Sequence, residues 1–460
     1  MHFKEHLPSA SNLMNSNRSI GYSLKSAVAD IIDNSLAAGA TIINITTPTE
    51  ERPCLAILDD GYGMDASELE SAMRYGSCPI TAPRSASDLG RFGLGLKTAS
   101  LSQCRRLVVI SKKAGGTLCG AFWDLDRLET DVPWPLGILD EDDFSSVPLI
   151  DSLRNRPHGT LVLWENLDVL LGSLRGGKDL GSRLDELLAK LKKHLGLVFH
   201  RFIEGDHKHP AVRIVFNNSD IEARDPFLKE RSSRPYDRDV YEINGQRIYV
   251  QPYILPHPGH ITQSERALVG DLDRNQGFYI YRNRRLIIWG TWFHLKKKTR
   301  LSQLARVQVD IPSSPEIDRL WDLDVKKSNA SIPECLRESL KNAVEKIQGF
   351  SADRRIRRGR EQTTKIGIWT RRLLPDGGFR YLINENHPAI NNYITQHPEI
   401  RPVLRLVAAA LPVDQMFADI HRDSEIHGDT ENIDAIAEQL RQAGLVVDED
   451  LILQIKKACS

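Results

Sequence analysis

"DLGRFGLGLKTAS", residues 88–100, sets three glycines and a lysine ahead of a run that reads as a helix. Glycine lets a backbone approach a ligand with no Cβ in the way and adopts turns closed to other residues. Where such a turn opens a helix, free amide groups and the positive helix end face outward together, an arrangement that suits phosphate. Taken alone, the stretch fits a surface loop leading into a helix equally well, so its neighbours decide. A dinucleotide fingerprint would follow the first strand directly, whereas these glycines follow a long loop. A Walker loop needs GxxxxGK[ST], but Leu96 stands between Gly95 and Lys97.

Two clusters lie upstream. Residues 19–38 carry Ala27, Val28, Ile31, Ile32 and Leu36 at helical spacing, and Gly39 closes the run. On that helix Asp30, Asp33 and Asn34 occupy positions i, i+3 and i+4 and share one edge. An asparagine carbonyl beside a carboxylate suits a hydrated Mg²⁺ and an oriented water, although a solvated helix face is the plainer reading. In "LDDGYGMD", residues 58–65, Asp59 leaves a strand end before Gly61 and Gly63 turn the chain. A buried carboxylate there can accept from an exocyclic amine such as adenine's; the plainer reading is a capped turn.

The order of these motifs is informative. "SAVADIIDNSLAAGAT" (26–41), "LAILDDGYGM" (55–64), "GRFGLGLKTAS" (90–100) and "HGTLVLWENL" (158–167) resemble, in order and approximate spacing, the four blocks of the GHKL ATPases. That superfamily includes DNA gyrase, heat-shock chaperones, histidine kinases and MutL. The third block and the segment after it look most like the MORC and MutL branch, including prokaryotic MORC-like proteins.

The resemblance implies an α+β chain: a Bergerat-fold α/β sandwich that binds ATP, then a transducer-type α/β domain, then a small, mostly helical C-terminal region. It implies that Asn34 ligates Mg²⁺ and that Asp59 binds the adenine amine. Gly61 and Gly63 would shape the base pocket, with Met64 beside them. Gly90, Gly93 and Gly95 would carry phosphate-facing amides, with Leu96 alongside and Lys97 adding charge, and Thr160 would support the adenine end. Residues 76–92 would form a lid. Asp30 stands where hydrolytic members carry glutamate, one methylene longer, so slow turnover or ATP used as a latch is implied. Asp33, at a different helix angle, would support this edge from behind. "GFYIYRNRRLI" (277–287) resembles a transducer strand, and "WDLDVKKSNASIP" (321–333) the loop that delivers a lysine to the γ-phosphate, with Lys327 expected there and Lys326 as the alternative.

The rest of the chain bounds these expectations. Its 460 residues suffice for two or three domains. The divisions expected are 1–175, 176–350, an arginine-rich linker over 351–365 and a tail over 366–460. Lysine plus arginine and aspartate plus glutamate both total 61, which argues against indiscriminate polyanion binding. Six scattered cysteines without a CxxC pair fit a reduced cytoplasmic protein better than a disulfide scaffold or zinc ribbon. No apolar run reaches membrane-spanning length, and the opening "MHFKEHLPSASNL" lacks a signal-peptide core. His207 and His209 lack a third ligand nearby, and Trp289, Trp292 and Phe293 read as core, although the adjoining Lys296–Arg300 run and Arg354–Arg360 are candidate DNA contacts.

The function expected is an ATP-gated dimeric clamp, with DNA as client and a link to restriction or antiphage defence implied by the relatives. A chaperone-like or scaffolding ATPase with a protein partner is the alternative. A histidine kinase would need a phosphoacceptor helix ahead of the ATP domain, and no nuclease motif is evident in the tail.

Overall fold

The computed structural model describes residues 8–19, 21–49, 53–75, 95–128, 134–174, 180–235, 237–322, 331–356, 369–373, 379–385, 387–402, 404 and 438. The chain divides into two compact units, Met1–Ser351 and Ala352–Ser460.

Helix α1 (Ala10–Arg18) starts where Ser9 caps the Asn12 amide. Helix α2 (Leu24–Ala37) starts at a reciprocal capping box between Ser23 and Ser26, which is why it begins later than hydrophobic periodicity alone suggests. It leads into β1 (Ile42–Thr46) and β2 (Leu55–Asp59), which pair antiparallel. Every residue of β2 is buried, because both of its faces are covered. Leu55 and Ile57 join a core with α2, whereas Ala56 and Leu58 pack with Phe144, Ile150 and Leu153 on the other face. The alternation of a strand thus distributes one apolar run between two layers.

Helices α3 (Ala66–Met73) and α4 (Gly95–Leu101) follow, then β3 (Arg106–Lys112), β4 (Cys119–Asp124), β5 (Gly137–Leu139), α5 (Ile150–Arg154), β6 (Gly159–Glu165) and α6 (Asp168–Leu174). Helix α7 (Leu180–Val198) comes next, continued by α8 (His200–Glu204). "HPAVRIVFNN", residues 209–218, lies inside the 176–350 division that the sequence suggests. Yet β7 (Arg213–Phe216) pairs parallel with β1, with Ile42 opposite Arg213, and β8 (Ser219–Asp220) follows it at the sheet edge. The first sheet is ordered β5-β4-β3-β6-β2-β1-β7-β8. The first layer therefore takes in elements beyond residue 175. Leu191, Leu195 and Val198 of α7 and Ile214 of β7 share the core of α2.

A second sheet, ordered β12-β11-β13-β10-β9, comprises β9 (Asp239–Ile243), β10 (Gln246–Ile254), β11 (Gly277–Arg282), β12 (Arg285–Thr291) and β13 (Ala305–Ile311). Helices α9 (Gln263–Val269) and α10 (Pro315–Leu320) accompany it, and α11 (Glu334–Ile356) adds Leu336, Leu340, Val344 and Ile347 to its core. Strands β11 and β12 join through Asn283 and Arg284, both at positive φ, the geometry of a tight two-residue hairpin turn. In the second unit, β14 (Trp369–Leu373) pairs antiparallel with β15 (Phe379–Ile383), and a helix spans Pro388–Gln396. Residues 374–378 and most of the tail beyond 402 lie outside the described residues. Among the described residues no helix is long and apolar enough to cross a membrane.

Candidate functional site

Asp59 ends β2 with its side chain only 4% exposed. A carboxylate so placed needs hydrogen-bond donors, and three converge on it. Ser35 Oγ of α2 donates to Oδ2 at 2.7 Å, while the Gly61 and Thr160 amides donate to Oδ1 at 2.9 and 3.2 Å. Burial pushes the Asp59 carboxyl up from its ordinary range, against the pull of the bonds from Ser35, Gly61 and Thr160.

The turn after Asp59 permits close approach at two points. A Cβ on Gly61 would lie 2.8 Å from Ala38 Cβ and 3.1 Å from Asp59 Oδ1. Gly63 has φ +68°, and a Cβ there would fall 2.0 Å from the Lys112 carbonyl oxygen. His158 Nδ1 donates to the Gly61 carbonyl at 2.7 Å, which ties β6 to this turn. Beyond it, the Met64 amide donates to Ser111 Oγ at 2.8 Å, and Ser111 Oγ lies 2.8 Å from Thr160 Oγ1. Strands β2, β3 and β6 thus bring Asp59, Gly61, Gly63, Met64 and Thr160 together through a small hydroxyl network.

The other edge is set by α2. Asn34 is exposed, whereas Asp30 and Asp33 are buried. The Tyr22 hydroxyl donates to Asp30 Oδ2 at 3.1 Å. Arg285 of β12 places Nε 2.8 Å from Asp33 Oδ1 and 2.7 Å from Oδ2, with Nη2 3.8 Å from Asp30 Oδ1. Gly95 opens α4 against this edge, since a Cβ on it would stand 3.9 Å from Asp30 Oδ2. Leu96 is half-buried beside the same core.

Lys97 is 1% exposed, and its ammonium donates to the carbonyls of Ala72 and Arg74 at 2.7 and 2.9 Å. The charge anticipated at the phosphates therefore caps the C-terminal end of α3 in this structure. Burial pushes the Lys97 ammonium down to about 8.

Gly90, Gly93, the expected lid over 76–92, Lys326 and Lys327 lie outside the described residues. Among the described residues no group of three or more His, Cys, Asp or Glu side chains could hold a metal ion, His207 and His209 included. Trp292 is core, donating to Gln276 Oε1 at 3.1 Å, whereas Lys296, Lys297 and Lys298 are all exposed, Lys298 with its ammonium donating to the Arg274 and Gly290 carbonyls.

Tyr22 and Ser111 join the site from outside the quoted motifs, whereas Ser35 and Arg285 lie within quoted stretches that assigned them no role. Ser35 had a faint signal, a hydroxyl one residue after Asn34 on the same helix. Arg285 had none, because its contact spans 252 positions of sequence.

Comparison with known proteins agrees with this geometry. Residues 22–160 match the family described as "Histidine kinase-, DNA gyrase B-, and HSP90-like ATPase". The chain is 33% identical over 97 residues to the human ATPase MORC2, covering 20% of this chain and 9% of that protein. It is 37% identical over 95 residues to the DNA mismatch repair protein MutL of Rhizobium etli, covering 20% of this chain and 15% of that protein. Protein MICRORCHIDIA 6 of Arabidopsis thaliana is 33% identical over 92 residues, covering 19% of this chain and 13% of its own length. The similarity thus spans well under a fifth of each relative.

Proposed function

Residues 22–160 of this chain are a domain of the histidine kinase-, DNA gyrase B- and HSP90-like ATPase family, and on that premise we propose that the protein binds ATP with Mg²⁺ and hydrolyses it slowly. It acts as a cytoplasmic, nucleotide-gated dimeric clamp on DNA. The observation that carries the nucleotide reading is Asp59, a buried carboxylate held by Ser35, Gly61 and Thr160 beside a glycine whose Cβ would crowd the same oxygen. An acceptor fixed in this way recognises the adenine amine by direction as well as by charge.

Along α2, Asn34 offers its carbonyl to Mg²⁺, which when bound neutralises charge on the terminal phosphates. Asp30 lies one helical turn earlier and acts as the base that orients and deprotonates the attacking water. Its stem is shorter than a glutamate's, so the water sits farther from the carboxylate and turnover is slow. Gly95 sets the first turn of α4 within van der Waals reach of Asp30. Gly90, Gly93 and Lys327 complete the phosphate contacts in this reading, and the exposed Lys296 and Lys297 contribute to a DNA-binding face. The MORC and MutL relatives favour DNA as client, and the prokaryotic MORC-like resemblance favours a role in restriction or antiphage defence.

The decisive experiment compares ATP turnover and nucleotide binding in wild type, Asp30→Ala, Asp30→Glu and Asn34→Ala. Magnesium-dependent turnover lost in both alanine variants supports the reading. Tight binding without turnover, with hydrolysis appearing in Asp30→Glu, leaves ATP as a latch, and absence of nucleotide binding sinks the proposal. DNA binding is tested with duplex DNA at rising salt, where binding through phosphate contacts weakens steeply. No binding at low salt removes DNA as the client.

A further inference from the structure

Arg285 is the first residue of β12, immediately after the hairpin turn at Asn283 and Arg284. Its guanidinium belongs to the second sheet yet is buried against α2 of the first layer, 5% exposed, facing carboxylates that are 1% and 4% exposed. Asp33 takes Nε on both oxygens, and Asp30 Oδ1 lies 3.8 Å from Nη2. Phe199 at the α7–α8 junction covers the guanidinium, with its ring centre 5.6 Å from Cζ. His194 of α7 is pushed down to about 3, by burial first and then by the nearby charges of Arg285 and Lys25, so it adds no positive charge at neutral pH.

The consequence concerns where the Asp30 carboxylate points. Asp30 is fixed on Oδ2 by the Tyr22 hydroxyl, from the chain just before α2, and faced on Oδ1 by Arg285, from a different sheet. An aspartate has few rotatable bonds, so two such neighbours on opposite oxygens select its orientation. The structure assigns to Arg285 the role of a positioning residue: clamped on Asp33, it sets the Asp30 carboxylate and makes the geometry of the base depend on the β11–β12 hairpin of the second sheet. This inference rests on the reading of Asp30 as the base in ATP hydrolysis.

The test measures steady-state ATP turnover and, separately, equilibrium binding of a non-hydrolysable ATP analogue in the full chain. Arg285→Met is expected to lower kcat by about tenfold to a hundredfold, the range for a displaced catalytic group, with analogue affinity unchanged. Arg285→Lys is expected to recover part of the loss, because an ammonium can still reach Asp33. Arg285→Met takes the guanidinium from the buried Asp33 carboxylate and risks misfolding, so Arg285→Met combined with Asp33→Asn provides a neutral background. The same kcat loss is expected there. A folded double variant that turns ATP over at the wild-type rate overturns the assignment, as does a loss confined to nucleotide affinity. If the wild-type chain itself shows no turnover, the hydrolysis reading fails and this inference falls with it. Wild-type turnover with unchanged kcat in the variants overturns this inference alone.

Discussion

Ser35 and Asp59 meet between α2 and the end of β2, the hydroxyl donating to Oδ2 at 2.7 Å. The bond joins the helix that carries Asn34 to the strand that carries Asp59, the proposed adenine acceptor. It also works against the burial that pushes the Asp59 carboxyl up. Removing it in Ser35→Ala is expected to weaken ATP binding by roughly tenfold, as loss of one hydrogen bond to a buried charge costs about 1–3 kcal/mol.

The pH dependence of the same variant follows from the sign of that shift. Asp59 accepts on both oxygens only as a carboxylate, so binding is complete above its raised pKa and is lost as pH falls through it. Ser35 lowers that pKa, and without it the loss begins at higher pH. Calorimetric titration of wild type and Ser35→Ala at neutral and mildly acidic pH checks both effects. Equal affinities at both pH values would remove Ser35 from the site.

Gly63 and Gly115 separate two reasons for glycine. Both have positive φ, +68° and +73°, but a Cβ on Gly63 would fall 2.0 Å from the Lys112 carbonyl oxygen, whereas one on Gly115 meets nothing within 4 Å. Gly115→Ala is expected to cost only the conformational term, about 1–2 kcal/mol. Gly63→Ala must also displace backbone and is expected to cost more than about 3 kcal/mol, within the range of strongly destabilising core changes. Urea unfolding of the two variants measures the difference, and equal costs would mean that the backbone contact is unimportant.

How far the sequence reveals this arrangement depends on the range of the interactions. The helix α2, the strand that ends at Asp59 and the glycine turn after it are legible because each is written in adjacent residues. The membership of β7 in the first sheet is not, since its pairing with β1 joins Ile42 to Arg213 and strand composition carries no address. Asp33 shows the same limit within the site. Its helix angle marked it as a supporting residue, but nothing local identified Arg285 as what it supports against. Lys97 sits in a glycine-rich phosphate motif, and its motif context pointed to an anion; the structure engages it with carbonyls of α3.

Arg282, three residues before Arg285, forms a second buried ion pair. Its Nε lies 2.8 Å from Asp318 Oδ1 and Nη2 lies 3.0 Å from Oδ2, with the side chains 7% and 2% exposed. The two-pronged contact fixes β11 against α10. Asp318→Ala takes its buried carboxylate partner from the Arg282 guanidinium and is expected to cost about 3–5 kcal/mol, whereas Arg282→Met with Asp318→Leu removes both charges and is expected to cost far less. Chemical denaturation of the single and double variants tests this. A double variant as unstable as the single would mean that packing around the pair, and not the loss of charge pairing, carries the effect.

Lys97 makes a prediction whose sign differs from that of an ordinary surface lysine. Its ammonium is pushed down to about 8 by burial, while in the unfolded chain it titrates near 10.5. Below about 8 the group is protonated in both states, and the folded state carries the full cost of burying the charge. Between about 8 and 10.5 the unfolded chain holds the proton and the folded chain does not, so this residue's contribution to stability rises with pH through that window. Lys97→Met removes the titration and leaves the Ala72 and Arg74 carbonyls without its donors, an offset that does not change with pH. The stability of wild type relative to Lys97→Met is therefore expected to increase by about 2 kcal/mol from pH about 7.5 to about 9.5, at about 1.4 kcal/mol per pH unit once the group titrates. Other titrating groups are common to both chains and cancel in the difference. A difference that stays flat across this range would mean that the carbonyls at the end of α3 hold the ammonium charged despite its burial.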